Sequence, residues 1–354
     1  FLDLAAESYL KAIKINPNSA LPYNVLGLVY WKKGELEIED GNDGRDFLEQ
    51  AISKYQKSIE LTPNFAAYNN VGLAALSKAN YEIIKGVDAI SSYDFSIKNL
   101  KLALELNPQN TSIYNSLGTA YMDKWTAIII SIGKDDNENF DLAIEHFNKS
   151  LELDPSNADP YYNLGFIYSK KALNNLSRAI DPNSFVIKAK EFLQKATSLN
   201  PDIIEGYIEQ SYAEIIAARW EIEQNRSPIT LLNKAQNILN KIPANQFNAS
   251  YYIVLAENYR WQAEWQIRNK KLAQNEILHG LDFTQKALAD NSKLAEAIVL
   301  EGVFYLFKAK EETSKKETLA KQAEKQLKMA IEINSTMKKN YEPLMIEARN
   351  LQKK

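Results

Sequence analysis

One small residue returns along this chain at a nearly fixed interval, and that interval narrows the folds open to it. Gly27, Gly72, Gly118, Gly165, Ser211, Ala256 and Gly302 follow one another every 45 to 47 residues. Each of the first four ends a phrase of one type: YNVLG from Tyr23, YNNVG from Tyr68, YNSLG from Tyr114 and YYNLG from Tyr161. A second column, the proline of INPN, LTPN, LNPQ, LDPS and LNPD, stands at Pro17, Pro63, Pro108, Pro155 and Pro201 with the same period. Two independent columns with one period identify an array of units, each burying against the next an apolar face that it cannot bury alone.

The pattern inside a unit is helical. Tyr23, Leu26, Gly27 and Tyr30 fall at steps of three and four and share one helix face. In AISKYQKSIEL, Ala51, Tyr55, Ser58 and Ile59 share another, before Thr62 and Pro63 stop the helix. Each unit is therefore an antiparallel helix pair, with Gly27, Ala51 and Ser58 as the small residues where the two axes cross. The whole chain, 1–354, reads as one array. It has an opening second helix at 1–18, full pairs at 19–64, 65–109, 110–156, 157–202, 203–247, 248–293 and 294–336, and a closing helix at 337–352.

These residues resemble the tetratricopeptide repeat: an aromatic, then Leu-Gly, then Tyr in the first helix, and Ala, an aromatic and a small residue in the second, closed by Pro. In the third unit the matching residues are Tyr114, Leu117, Gly118, Tyr121, Ala143, Phe147, Ser150 and Pro155. Past residue 201 the match thins: Gln210 and Ser211 stand for Leu-Gly, and the proline column reads Phe247, Ser292 and Ser335. The resemblance implies an all-α, right-handed superhelical solenoid of antiparallel helix pairs, with first helices lining a concave groove. The family period is about 34 residues. The surplus falls between the paired helices, near GNDG at Gly41, GKDDN at Gly133, DPNS at Asp181 and RSP at Arg226. Its helix-permissive flanks predict tall hairpins, not long loops.

The resemblance places the core columns at residues such as Tyr161, Leu164 and Tyr168, and the groove at the positions between them. The groove residues expected on this basis are Asn24, Asn69, Asn70, Asn115, Tyr162, Asn163, Phe166, Tyr212, Arg260 and Trp261, with Glu209, Glu257, Val299, Val303 and Phe307 in the same rows. A carboxamide both donates and accepts, so an Asn row can hold the backbone of an extended peptide; it can equally bond to the neighbouring helix. The aromatics exceed what the core columns need, and such side chains anchor interfaces. The expected function is a non-catalytic scaffold binding a peptide or helix of another protein, or of another domain of its own chain. The family's chaperone-tail clamp needs lysines where Asn24, Asn69 and Asn115 stand, so that partner is not expected.

The alternative is a regulatory or sensor region of a larger enzyme. The stretch from Glu39 to Gly72 looks like the long-helix repeats attached to some bacterial serine/threonine kinases and other signalling proteins, and Phe1 falls inside a repeat, which implies a segment upstream. Other chemistry finds little footing. With 42 Lys plus Arg against 45 Asp plus Glu the net charge is −3, which offers no field for nucleic acid or an anionic membrane. No cysteine is present, which excludes thiolate metal sites and disulfides and suits a cytoplasmic location. The only histidines, His146 and His279, are expected at exposed helix positions, without metal or cofactor. GNDGRD lacks the Lys-Ser/Thr of a phosphate loop. The acidic cluster from Asp135 to Glu138 reads as helix capping, and the Lys and Glu mixture from Glu311 to Lys328 as a solvated helix face.

Overall fold

A computed structural model describes residues 1–353. Among these residues the chain is all-α, with sixteen α-helices and no strand. It divides into two compact units, Phe1–Ser156 and Asn157–Lys354. In the first unit α1 (Leu2–Ile15) precedes three pairs: α2 (Ala20–Glu39) with α3 (Arg45–Leu61), α4 (Phe65–Ile84) with α5 (Ile90–Leu106), and α6 (Thr111–Ile132) with α7 (Asn137–Leu153). In the second unit the pairs are α8 (Ala158–Ser177) with α9 (Asn183–Leu199), α10 (Ile204–Glu223) with α11 (Ile229–Leu239), α12 (Ala249–Arg268) with α13 (Gln274–Asp290), and α14 (Ala295–Glu311) with α15 (Lys316–Ile333). The helix α16 (Lys338–Leu351) follows.

The surplus residues lengthen helices. Helices α2, α4, α8, α10 and α12 each have 20 residues, and α6 has 22, so each is about 30 Å tall. The tips between paired helices are correspondingly short, and five of the seven share one geometry. At the end of α2 the amide of Gly41 donates to Ile38 O and that of Asn42 to Glu37 O, with Gly41 left-handed at φ 78°. The same pair of bonds follows α4, α8, α10 and α12, with Gly86, Ala179, Asn225 and Lys270 as the left-handed residue. This motif satisfies the last carbonyls of the helix and turns the chain at once. At the opposite ends, Asn64, Asn110 and Asn248 accept from the amide of the third residue on, capping α4, α6 and α12.

The glycine column marks where paired helices approach most closely. A Cβ on Gly27 would lie 2.7 Å from the Tyr55 ring, on Gly72 2.6 Å from Leu100, on Gly118 2.5 Å from Phe147, and on Gly165 2.4 Å from Leu193. Tyr55, Leu100, Phe147 and Leu193 are thus seated on the bare backbone of the facing helix and are fully buried. First helices also touch the next first helix within each unit: α2 with α4 and α4 with α6 in the first, α8 with α10, α10 with α12, α12 with α14 and α14 with α16 in the second. They form the inner layer of each unit, and the second helices form the outer one.

Two elements depart from the pattern. Helix α11 has 11 residues where α9 and α13 have 17, because the chain breaks at Pro243 and passes through a single 3-10 turn, Ala244–Gln246. Helix α14 is buried nearly all round. Val299, Val303 and Phe307, expected in the groove, lie instead within a core covered by Met337, Tyr341, Leu344 and Met345 of the closing segment. An exposed apolar row of this size is more stable covered, and α16 supplies the cover.

Two measurements check this account. Gly118→Val should lower stability by about 2–3 kcal/mol, because Phe147 has no room to retreat, while Ser211→Ala in the same column should have a far smaller effect; denaturant midpoints of both variants decide it. Ala179→Gly should raise stability by about 1 kcal/mol by relieving a left-handed alanine, and a lower melting temperature would refute that reading of the tip.

Candidate binding groove

In the first unit the inner layer is polar and cross-linked. Asn70 Nδ2 donates to Asn24 Oδ1 at 3.3 Å, linking α4 to α2 one repeat away. Trp31 Nε1 donates to Ser77 Oγ at 3.0 Å along the same seam. Asn80 Nδ2 donates to Asp123 Oδ2 at 2.9 Å, linking α4 to α6, while Tyr93 donates its hydroxyl to Asn80 Oδ1 at 2.7 Å. Asn24 and Asn70 therefore spend one donor and one acceptor on each other. Asn69 differs: its Oδ1 is buried without a hydrogen-bond partner. Asn115 is half-buried on α6.

The inner layer of the second unit is aromatic and charged. On α8, Tyr162 stacks on Phe166 with ring centroids 6.0 Å apart, and the Lys170 ammonium lies 4.7 Å from the Phe166 centroid. Asn163 is half-buried beside them. On α12 the Trp261 ring carries two guanidinium groups, Arg219 from α10 and Arg260 from its own helix, each 4.6 Å from the ring centroid. Trp261 Nε1 donates to Glu257 Oε2 at 2.9 Å. Arg260 donates to Glu257 at 3.2 Å and to the Tyr341 hydroxyl of α16 at 3.1 Å, and its Nε is buried without a partner. Arg219 makes no ion pair or hydrogen bond among the described residues; its only contact of this kind is with the face of Trp261.

Burial and charge act together on the titrating groups here. Burial pushes the hydroxyls of Tyr162, Tyr212 and Tyr341 above the ordinary tyrosine range. Tyr212 feels Arg219, Glu257, Tyr341 and Glu209 at once, so it lies at the electrostatic centre of the cluster. For Arg260 burial disfavours the charge, but Glu257 and Tyr341 more than offset it and the group stays cationic. Glu209 on α10 is raised by burial, with Lys170 and Ser169 opposing.

The sequence-expected residues therefore fall into two sets. Asn24, Asn69, Asn70 and Asn115 belong to the inner layer of the first unit; Tyr162, Asn163, Phe166, Tyr212, Arg260 and Trp261 belong to that of the second. Sequence reading missed Arg219 and Tyr341. Arg219 lies seven residues after Tyr212, two helical turns along the same face, and that spacing could have found it. Tyr341 is 81 residues from Arg260 and carries no local signal. One expectation is corrected: His146 is not an exposed position but half-buried, with its ring stacked on Tyr121 at 5.4 Å and near Tyr114 at 6.1 Å. Burial lowers its pKa below the usual histidine value. His279 is exposed but stacks on Tyr259 at 5.1 Å. Asp135 accepts from Trp125 Nε1 and Asp136 from Asn139 Nδ2, and Asp136, at the N-cap position of α7, makes no side-chain cap bond. Among the described residues no cluster of three acidic or histidine side chains is placed to hold a metal, and no helix is long and apolar enough to cross a membrane.

The raised Glu209 pKa carries a sign. The folded chain holds that proton more tightly than the unfolded chain, so this group's contribution to stability falls as pH rises from the ordinary glutamate range through the raised value. Glu209→Gln removes the cost. Its melting temperature should match the parent near pH 4 and exceed it at pH 7–8 (about a few degrees at most); an equal or lower value at neutral pH would refute the assignment.

A family model described as TPR repeat matches residues 2–34 and 136–172. No curated protein matches the sequence. Among solved structures the chain is similar to yeast Tom70, at 15% identity and a TM-score of 0.57, covering 99% of this chain and 59% of that one. This chain therefore spans less than two thirds of the Tom70 chain. It is also similar to a tetratricopeptide repeat protein from Parabacteroides merdae ATCC 43184, at 13% identity and a TM-score of 0.50, covering 93% and 99%. Identities this low speak for the fold alone and leave the signalling-protein likeness of residues 39–72 untouched. The two segments 2–34 and 136–172 thus match the tetratricopeptide repeat itself, and the chain as a whole has the fold of such an array, paired helices repeating with the period of the glycine and proline columns.

Proposed function

We propose that this chain is a non-catalytic scaffold for protein interactions, and that a peptide segment of a partner lies along the inner layer of its second unit. The observation that supports this most is the unspent bonding capacity around Trp261. Arg219 has no carboxylate partner, and its guanidinium lies 4.6 Å from the centroid of the half-buried Trp261 indole, as does that of Arg260. A guanidinium prefers a planar, bidentate acceptor, and a carboxylate side chain of the partner satisfies Arg219. Tyr162 and Phe166 offer a stacked apolar surface one repeat away from Tyr212, suited to an aromatic or aliphatic anchor. The segment thus carries an acidic residue and an apolar anchor. In the first unit Asn24, Asn69, Asn70 and Asn115, and in the second Asn163, offer side-chain amides to the backbone of the segment.

Selection of random displayed peptides on the purified chain tests the reading. The expected result is a consensus pairing an acidic residue with an aromatic or aliphatic one, with affinity at least about tenfold weaker for Arg219→Ala and for Trp261→Ala, a loss of about 1.4 kcal/mol each. Unchanged helical circular dichroism in both variants assigns the loss to the groove. Peptides that bind both variants as well as the parent would overturn it.

A further inference from the structure

One column of the array loses its ring in the second repeat, and the place of that ring stands open. Three residues after the small residue of the glycine column, the first helix carries Tyr30, Tyr121, Tyr168, Tyr259 or Tyr305. Four of these rings stack on a ring of the paired second helix: Tyr30 on Phe47, Tyr121 on His146, Tyr168 on Phe192 and Tyr259 on Phe283, with centroids 5.4–6.5 Å apart. The second repeat has Ala75 in this column and the fifth has Glu214. A hollow opens beside the column in both, of about 270 Å³ among α3, α4 and α5 and about 410 Å³ among α9, α10 and α11. In the fifth repeat a carboxylate paired with Lys190 takes the place of the ring. In the second only a methyl group does.

The cleft over Ala75 is apolar at its base and polar at its rim. Ala75 is 2% exposed, and Ile52 of α3 and Phe95 of α5 line the cleft beside it. Phe95 is 37% exposed and makes no ring contact among the described residues, unlike the four second-helix rings of the other repeats. The charged lining residues answer each other, Lys78 Nζ pairing with Glu49 Oε1 at 2.7 Å. Ser92 is engaged as well, donating to Glu82 at 2.7 Å. Ser53, Gln56 and Ser91 are exposed lining residues whose side chains make no hydrogen bond among the described residues.

We propose that this cleft binds a neutral phenol ring, the group its column carries in five other repeats, packed over Ala75 against Phe95 and Ile52 with its hydroxyl at the rim formed by Ser53, Gln56 and Ser91. A hollow left by a missing apolar side chain takes a small ring that fits it, and the array itself shows which ring fits here. Stacking on the solitary Phe95 favours an aromatic ring over a saturated one of the same size. The internal pairing of Lys78 with Glu49 leaves nothing to answer a charged ring, which loses its hydration without gaining a counter-charge. A free phenol and the tyrosine side chain of a partner carry the same group. The site lies within the first unit and does not depend on the groove proposed above.

The test is a titration of the whole chain with p-cresol and with N-acetyl-tyrosinamide, read by saturation-transfer NMR and calorimetry, with 4-methylcyclohexanol, benzoate and benzylamine as controls. p-Cresol should bind saturably at one site, at least about fivefold more tightly than any control. Binding of N-acetyl-tyrosinamide as well assigns the site to a partner's tyrosine, and its failure beside p-cresol assigns it to free phenols. Phe95→Ala should weaken p-cresol binding at least about tenfold, Trp261→Ala should leave it unchanged, and Ala75→Tyr, which restores the column's ring, should abolish it and raise the melting temperature. Should Ala75→Tyr misfold, the exposed Phe95 still decides. No p-cresol binding up to about 10 mM, equal binding of any control, or binding unaffected by Phe95→Ala overturns the proposal.

Discussion

The structure depends on one steric condition: the bare backbone of a first helix must admit a large side chain from its partner. Gly27 with Tyr55, Gly72 with Leu100, Gly118 with Phe147 and Gly165 with Leu193 repeat that contact, each pair leaving no space for a Cβ. Close packing of this kind gains many small dispersion contacts and fixes the axial separation of each pair. Helices of 20 residues can then remain paired over their whole length, since the crossing sets the register and the tips only have to close the chain. Where the column relaxes to Ser211 and Ala256, both side chains are still fully buried, so the condition weakens to a small residue without disappearing.

The same repeat grammar produces two chemically different inner layers. In the first unit amides and hydroxyls bridge neighbouring first helices, so that Asn24, Asn70 and Asn80 stiffen the seam as much as they decorate it. In the second unit the equivalent rows hold rings and cations. An indole with two guanidinium groups over its ring gains cation–π attraction from each, and each such contact is worth about 0.5–2 kcal/mol according to its desolvation. Glu257 bonds to both the indole and Arg260, which fixes the ring's orientation while leaving Arg219 uncommitted.

Much of the fold was legible in the sequence because its determinants are local. The glycine and proline columns, the Asn residues after the turn prolines and the helix-permissive tips each act within one hairpin, and the helices run as those signals imply. Three features were not legible. The contact of Tyr341 with Arg260 joins positions 81 residues apart. The cover over Val299, Val303 and Phe307 comes from α16, whose own pattern does not say which surface it meets. The early end of α11 follows from Pro243, visible in the sequence, but the hollow it leaves depends on Gln210 and Glu214 replacing core residues on a different helix. Among the expected groove residues, the amides could serve the seam or a ligand with equal chemistry, and only coordinates separate Asn70, which is bonded, from Asn69, whose oxygen is not.

The shortened α11 also says something about error tolerance. In a globular domain a helix trimmed by a turn and a half would disturb packing on every side. Here the next helix, α12, starts on its own asparagine cap at Asn248, and Tyr251 and Leu255 are buried as their columns require. Because each hairpin answers only to its neighbours, an irregular module is quarantined: the lattice resumes one step later, and chemistry can be installed in a single cell without renegotiating the rest.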